Sequence, residues 1–289
     1  MARLNKIVFM FLPGLFLLFA AHGQSVGQAS EAAPLVMGQT FTLQSKALSE
    51  TRRINVYLPA GYAESTTLQL PVLYMPDGGM AEDFLHVAGL VQVLVGNGTM
   101  RPFILVGIEN TQRRRDLTGP TTNAEDKKIA PHVGGSAAFR QFIRTELMPA
   151  VKQRYRTTAE TAIVGESLAG LFVVETLLLE PDLFDSYLAF DPSLWWNNEQ
   201  LANQASTLLN AKPKAGQPKF LYLATGSDAG LAPPVGRLTK ALGSTPERSI
   251  AWHYEPMPQE THATIYHPAA LKAFRLVFKP KATNSPGTH

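Results

Sequence analysis

The sequence predicts an α/β domain with a mostly parallel central sheet and helices on both faces, and three observations carry that prediction. Strand-like runs alternate with helical patterns from residue 38 to residue 280. Several strands, Leu70–Met75 and Phe103–Ile108 among them, are apolar at nearly every position, as strands covered on both faces are. A short run, Thr161–Val164, enters a tight Gly165-Glu166-Ser167 turn, and an apolar helical pattern, Leu171–Leu179, leaves it. The core has the material it needs, since 45% of the 289 residues are hydrophobic. There is no cysteine, so neither a disulfide nor a thiolate metal site is available.

Residues 1–23 read as a signal peptide outside the fold. Arg3 and Lys6 form a positive n-region, Ile7–Ala21 is apolar apart from Pro13 and Gly14, and Ala21-His22-Gly23 offers small residues to a signal peptidase. The apolar run falls short of the roughly 20 residues of a comfortable membrane span. A periplasmic or secreted protein is therefore expected, with no stable membrane insertion after removal of the segment; an uncleaved anchor is the alternative. Residues 24–37 read as a flexible leader, 38–280 as one domain and 281–289 as a flexible tail. Of the formal charge of +3, Arg3 and Lys6 supply two, so the remaining chain is close to neutral and lacks a nucleic-acid footprint.

Within the domain, Thr40–Gln44 and Arg53–Leu58 are the first strands, the second showing Ile54, Val56 and Leu58 in alternation. No helix separates them, so they should pair antiparallel at one edge. Leu70–Met75 ends in Asp77-Gly78-Gly79, a helix covers 81–96, and Phe103–Ile108 is the next strand. Glu109–Pro131 is a long polar segment containing Arg113-Arg114-Arg115-Asp116, and loops of that length are functional or disordered. It is expected to border a pocket and to govern substrate choice more than stability. Gly134-Gly135 opens an amphipathic helix with Phe139, Phe142, Ile143, Leu147 and Val151 at helical spacing. Strands follow at Ser186–Asp191, Lys219–Thr225 and Ile250–Glu255, with helices at 197–210, near 234–243 and at Pro268–Phe278.

In such sheets the site lies at the carboxyl ends of the strands. Asp77-Gly78-Gly79, Asn110, Ser167, Pro192–Trp196, Asp228 and His262 all follow strands and can converge there. The strand–turn–helix around Ser167 suits a nucleophile, because a sharp turn flanked by Gly165 and Ala169-Gly170 lifts the hydroxyl clear of the sheet. Ala169 stands where the Gly-x-Ser-x-Gly pattern has its second glycine. A serine needs a base, and the chain order serine, acid, histidine leaves His262 ahead of His267. Asp228 occupies the usual slot of the acid; Glu260, Asp191 and a dyad without any acid remain open. The oxyanion hole is expected from the Leu168 amide and from the Gly78–Met80 region, where Gly78-Gly79 let the backbone approach the substrate. No metal motif is present, no cofactor is implied, and the oligomeric state is open.

Five stretches resemble the esterase family of the α/β-hydrolase superfamily, nearest its bacterial ferri-siderophore (enterobactin-type) branch. They are Val72–Gly78, Val106–Thr118 with Asn110, Arg113 and Asp116, Gly165–Gly170, Asp191–Trp196 and Glu260–His262. The resemblance implies an α/β-hydrolase fold and a serine esterase with Ser167 as nucleophile and His262 as base, acting on a small-molecule ester. It also places Asn110, Arg113, Trp195 and Trp196 around the substrate. The triple arginine then reads as a face for an anionic catecholate–iron substrate or as a solvated loop face, and the tryptophans as a pocket wall or as packing. Relatives usually carry serine at the position of Asp191 and proline at that of Gly119. Acyl transfer to an acceptor other than water, and non-catalytic binding on a hydrolase scaffold, are the rival functions.

Overall fold

The structure, a computed structural model, describes residues 31–211, 218–244 and 250–280. The expected signal peptide (1–23), residues 24–30 of the leader and the tail (281–289) lie outside the described residues. The chain divides into a unit of residues 1–36 and a unit of residues 37–289, and the second holds every strand and helix described.

Strands β1 (Gln39–Ser45) and β2 (Glu50–Tyr57) form the expected antiparallel pair, Gln39 opposite Val56 and Ser45 opposite Glu50. Next come β3 (Leu70–Met75), α1 (Phe84–Gly96) and β4 (Ile104–Ile108), then two short helices, α2 (Arg113–Leu117) and α3 (Ala124–Ile129). The amphipathic helix after Gly135 is continuous but not uniform: α4 (Ser136–Phe142) passes through a π-helical turn (Ile143–Leu147) into α5 (Met148–Arg154). The remaining elements are β5 (Thr157–Glu166), α6 (Leu168–Leu179), β6 (Ser186–Phe190), α7 (Trp196–Ala211), β7 (Lys219–Thr225), α8 (Ala232–Gly243), β8 (Ile250–Pro256) and α9 (Tyr266–Val277). One eight-stranded sheet results, in the order β1-β2-β4-β3-β5-β6-β7-β8. β2 also runs antiparallel to β4, and every pairing from β4 onward is parallel.

The alternation of strand side chains explains the apolar runs. Val72, Tyr74 and Ile163 enter one core beneath α4 to α8, while Leu73, Met75, Ala162 and Val164 enter the other beneath α1 and α9. Every residue of β3 and β4 is buried, so the continuous hydrophobicity reports two cores rather than one. Helix α6 lies inside the first core with eleven of its twelve residues buried, which fixes the turn that precedes it.

The Glu109–Pro131 segment, expected to govern substrate choice more than stability, is also tied into the fold by buried charges. Asp116 is buried and receives both Arg52, whose side chain is wholly enclosed, and Arg115 Nε at 2.7 Å. Glu50 takes Arg115 Nη2 at 2.7 Å and lies 2.8 Å from Arg52 Nε. Further along, buried Asp126 accepts the Asn197 N–H at 2.8 Å and the Thr121 hydroxyl at 2.6 Å. Asn197, Asn198 and Glu199 are all left-handed (φ 49°, 55° and 60°), so regular helix in α7 begins only after them.

Candidate active site

Ser167 sits between β5 and α6 with φ 61° and ψ −121°, a conformation an L-residue adopts only when its surroundings enforce it. The enforcement is visible: the Ser167 N–H donates to the Phe190 carbonyl at 3.0 Å, and its own carbonyl accepts the Ser193 N–H at 3.0 Å. A Cβ at Gly165 would stand 2.7 Å from the Ala169 methyl, so the bare glycine is what admits alanine at the motif's second glycine position. The Leu168 amide is the first N–H of α6, a position without a partner inside the helix.

His262, in the loop after β8, brings Nε2 to 3.0 Å from Ser167 Oγ. His267 does not approach the serine; it lies on α9 with its ring 5.8 Å from that of His86. The carboxylate on the other side of the imidazole is Asp191, with Oδ2 3.2 Å from Nδ1. Asp191 is fully buried, and its other oxygen accepts the Gly226 N–H at 2.7 Å. A side chain at Gly226 would come within 3.2 Å of that carboxylate and 2.8 Å of the Glu260 carbonyl, so glycine is needed for the approach.

The assignment of Asp228 as the acid is therefore corrected. Its carboxylate folds onto the Gly230 N–H at 2.8 Å, an Asx turn that satisfies it locally. Glu260 likewise accepts from Thr264 Oγ1 at 2.7 Å within its own loop. Within the Gly78–Met80 region, two amides are already engaged. The Gly78 amide donates to the Ile108 carbonyl at 2.9 Å, and its lack of a side chain lets the backbone pass the Gly107 Cα. The Gly79 amide donates to Glu82 Oε2 at 2.7 Å. Neither is a free donor in this arrangement.

Asn110 and Arg113 both turn to Asp77: the amide reaches Oδ1 at 2.5 Å, and the guanidinium grips both oxygens at 2.7 and 2.8 Å. Trp196 is buried, its Nε1 bonded to the Gly119 carbonyl at 2.9 Å, so it packs beneath the α2–α3 segment rather than lining a pocket. Trp195 keeps about a third of its surface exposed at 36%.

Two residues beside the serine escaped the sequence reading. Ser193 places Oγ 3.4 Å from Ser167 Oγ. Glu166, the residue between Gly165 and Ser167, has Oε1 3.3 Å from His262 Nε2 yet no aligned hydrogen bond on that oxygen. Burial pushes the Glu166 carboxyl up to about 7, with nearby Asp191 and Asp77 adding to the effect and His262 and Arg113 opposing it. Asp191 and, behind it, Glu166 raise the His262 imidazole above its ordinary value against the effect of burial. The motif itself held the signal for Glu166, since a carboxylate next to the nucleophile is a charge at the end of a buried strand.

Strand order, the strained turn and a histidine after the last strand are together those of an α/β-hydrolase. Within that class the chain belongs to the esterase family, whose profile, described as "Putative esterase", matches residues 45–269. The ferri-bacillibactin esterase BesA of Bacillus subtilis is 27% identical over 247 residues, 77% of this chain and 81% of that protein. The siderophore triacetylfusarinine C esterase of Aspergillus fumigatus is 29% identical over 200 residues, 65% of this chain and 66% of that one. Among solved structures, the IroE-like serine hydrolase of Shewanella oneidensis superposes with a TM-score of 0.73 at 30% identity, covering 84% of this chain and 80% of that chain.

Proposed function

We propose that the protein hydrolyses carboxylic esters through an acyl-enzyme on Ser167, with siderophore-type esters as its substrates. The observation that carries the chemistry is the unbroken relay from Ser167 Oγ to His262 Nε2 at 3.0 Å and from His262 Nδ1 to Asp191 at 3.2 Å. With its Nδ1 proton donated to buried Asp191, the imidazole turns the Nε2 lone pair toward the serine. As Oγ bonds to the ester carbon, its proton passes to Nε2 and the carbonyl electron pair moves to oxygen. The Leu168 N–H at the head of α6 is the donor placed for that oxyanion. Collapse expels the alcohol, which takes the proton from Nε2; water then repeats the sequence on the acyl-enzyme. The substrate class rests on the relatives, whose names are those of siderophore esterases.

Ser167→Ala and His262→Ala should each reduce kcat by on the order of 10⁶, and the double variant should be little worse, because both disable one proton transfer. Asp191→Asn should lose about 10²–10⁴, and Asp228→Asn should change little. A fluorophosphonate probe should label the wild type but not Ser167→Ala. Folded Ser167→Ala with undiminished hydrolysis would end this reading. Ferric and iron-free siderophores assayed beside short-chain nitrophenyl esters test the substrate class. Export is proposed from the pattern of residues 1–23 alone; material recovered outside the cytoplasm that still begins at Met1 would count against it.

A further inference from the structure

The imidazole of His262 stands between two carboxylates rather than one. Asp191 holds Nδ1 at 3.2 Å, and Glu166 lies 3.3 Å from Nε2, the nitrogen that also faces Ser167 Oγ at 3.0 Å. The side chain of Glu166 is only 15% exposed, and its Oε1 has no hydrogen bond among the described residues. Burying a carboxylate without a partner is unfavourable by several kcal/mol in order of magnitude, so a folded chain that retains one invites a functional reason. The other charged groups facing Glu166 are Arg113 from α2, Asp77 from the turn after β3 and Asp191 from the end of β6. Arg113 opposes the rise through its charge but gives Glu166 no hydrogen bond, its Nε and Nη2 being turned to Asp77. Beyond Glu166 opens a cleft of about 380 Å³ lined by Asp83, His86, His262, Thr264, Tyr266 and His267.

We infer that Glu166 is a second charge partner of His262, acting on Nε2 as Asp191 acts on Nδ1, and that it steadies the imidazolium formed whenever Ser167 gives up its proton. The inference rests on the serine-hydrolase reading above. When His262 is neutral, Nε2 offers a lone pair, and the serine hydroxyl is its natural donor. When the proton moves from Oγ to Nε2, the positive charge of the imidazolium stands 3.3 Å from Glu166 Oε1, and attraction across that contact steadies it without an aligned hydrogen bond. The proton stays on nitrogen until the leaving alkoxide takes it, so Glu166 undergoes no net change. The same contact works against the free enzyme at low pH. The Glu166 charge raises the affinity of His262 for a proton, and a proton on Nε2 occupies the lone pair that Ser167 needs. Glu166 should therefore accelerate the chemical step once that proton has left, and should delay its leaving as pH rises.

The two effects predict profiles that cross. Glu166→Gln keeps size and hydrogen-bonding capacity while removing the charge. Its kcat/KM should rise with pH about half a unit to one unit earlier than that of the wild type, and its alkaline plateau should be about three- to tenfold lower. Below the crossing point the variant should match or exceed the wild type. Glu166→Asp, which keeps the charge, should lie between the two. In a Ser167→Ala background, the imidazole resonances of His262 followed by NMR should show the same downward shift on adding Glu166→Gln, with no dependence on turnover. An apparent pKa unchanged in both the kinetic and the NMR titration overturns the inference, even where the plateau falls. That result leaves the serine-hydrolase reading intact, since that reading stands or falls with Ser167→Ala and the fluorophosphonate label.

Discussion

The cluster of Arg52, Glu50, Arg115 and Asp116 and the group of Asp77, Arg113, Glu166 and His262 both draw on helix α2 and both hold carboxylates that are largely buried. They differ in how their oxygens are satisfied. In the first, both oxygens of Asp116 meet a guanidinium, and Glu50 gathers Arg115, Arg52 and the Thr111 hydroxyl. In the second, Asp77 is saturated by Arg113 and Asn110, but Glu166 is left with an ion-pair contact and no aligned hydrogen bond. The difference is registered in proton affinity. Burial raises the Glu50 carboxyl, but hydrogen bonds and the arginine charges outweigh it and hold it below the usual range. At Glu166 burial prevails, and the carboxyl stands at about 7. A carboxylate with both oxygens hydrogen-bonded secures a segment; one with an oxygen left over keeps a charge ready for a reaction.

The largest expected effect lies in the completed cluster. Asp116→Ala removes the carboxylate on Arg52 Nη2 and leaves the enclosed guanidinium only Glu50 and the Glu109 carbonyl, and breaking a buried pair in this way should cost about 3–5 kcal/mol in a urea titration. A loss below about 1 kcal/mol would mean that the α2–α3 segment is held by its apolar contacts instead.

Next in size is Glu166→Gln, with the opposite sign. A carboxyl raised in the folded state favours folding below its unfolded value of about 4.5, and that advantage is lost as pH rises through about 7. At pH 8 the wild type carries the full burden of a buried carboxylate, so Glu166→Gln should be more stable by about 1–2 kcal/mol. A melting temperature at pH 8 that drops in the variant would show the charge to be structural.

Glu50 sharpens the contrast from the acid side. Its lowered carboxyl stabilises the fold above about 4.5, and that contribution fades as pH falls through the lower folded value. Glu50→Gln should therefore flatten the acid arm of the stability profile, where Glu166→Gln flattens the arm between about 4.5 and 7. The smallest effect is expected at the exposed Lys128–Glu125 pair on α3, where Glu125→Ala should leave the melting temperature unchanged within error.

Much of this fold was legible because parallel strands with two covered faces leave little choice of residue, as Leu70–Met75 shows. Ser167 and His262 were legible for a related reason: a strained turn demands small neighbours, and chain order selects the histidine. The acid was not legible. Asp191 and Asp228 both follow strands of the sheet, and what separates them is the left-handed turn at Asp191 (φ 39°) and the approach of Gly226. Asp228 has an equivalent position in the chain but spends its oxygen on the Gly230 N–H. In the Gly78–Met80 region, sequence marks where backbone can come close but not that the Gly78 and Gly79 amides are already engaged. The long polar segment does line a cleft, with Gln112, Arg113 and Pro131 on its wall, but its anchoring was not legible: Asp116 and Asp126 are buried against Arg52 and Asn197, distant in the chain.

The three left-handed residues at the head of α7 set a rule for what a mutational library can tolerate. At Asn198 and Glu199 the backbone favours glycine, asparagine and aspartate, and selection from a randomised pool should exclude valine, isoleucine and threonine there. Asn197 faces a second constraint, because its side-chain oxygen accepts the Thr122 N–H at 3.0 Å. Glycine would suit its backbone and still lose that contact, so position 197 should accept fewer replacements than its two neighbours. A family of variants sorted by this rule would have a fingerprint at three consecutive codons, set by backbone handedness and not by chemistry at the serine.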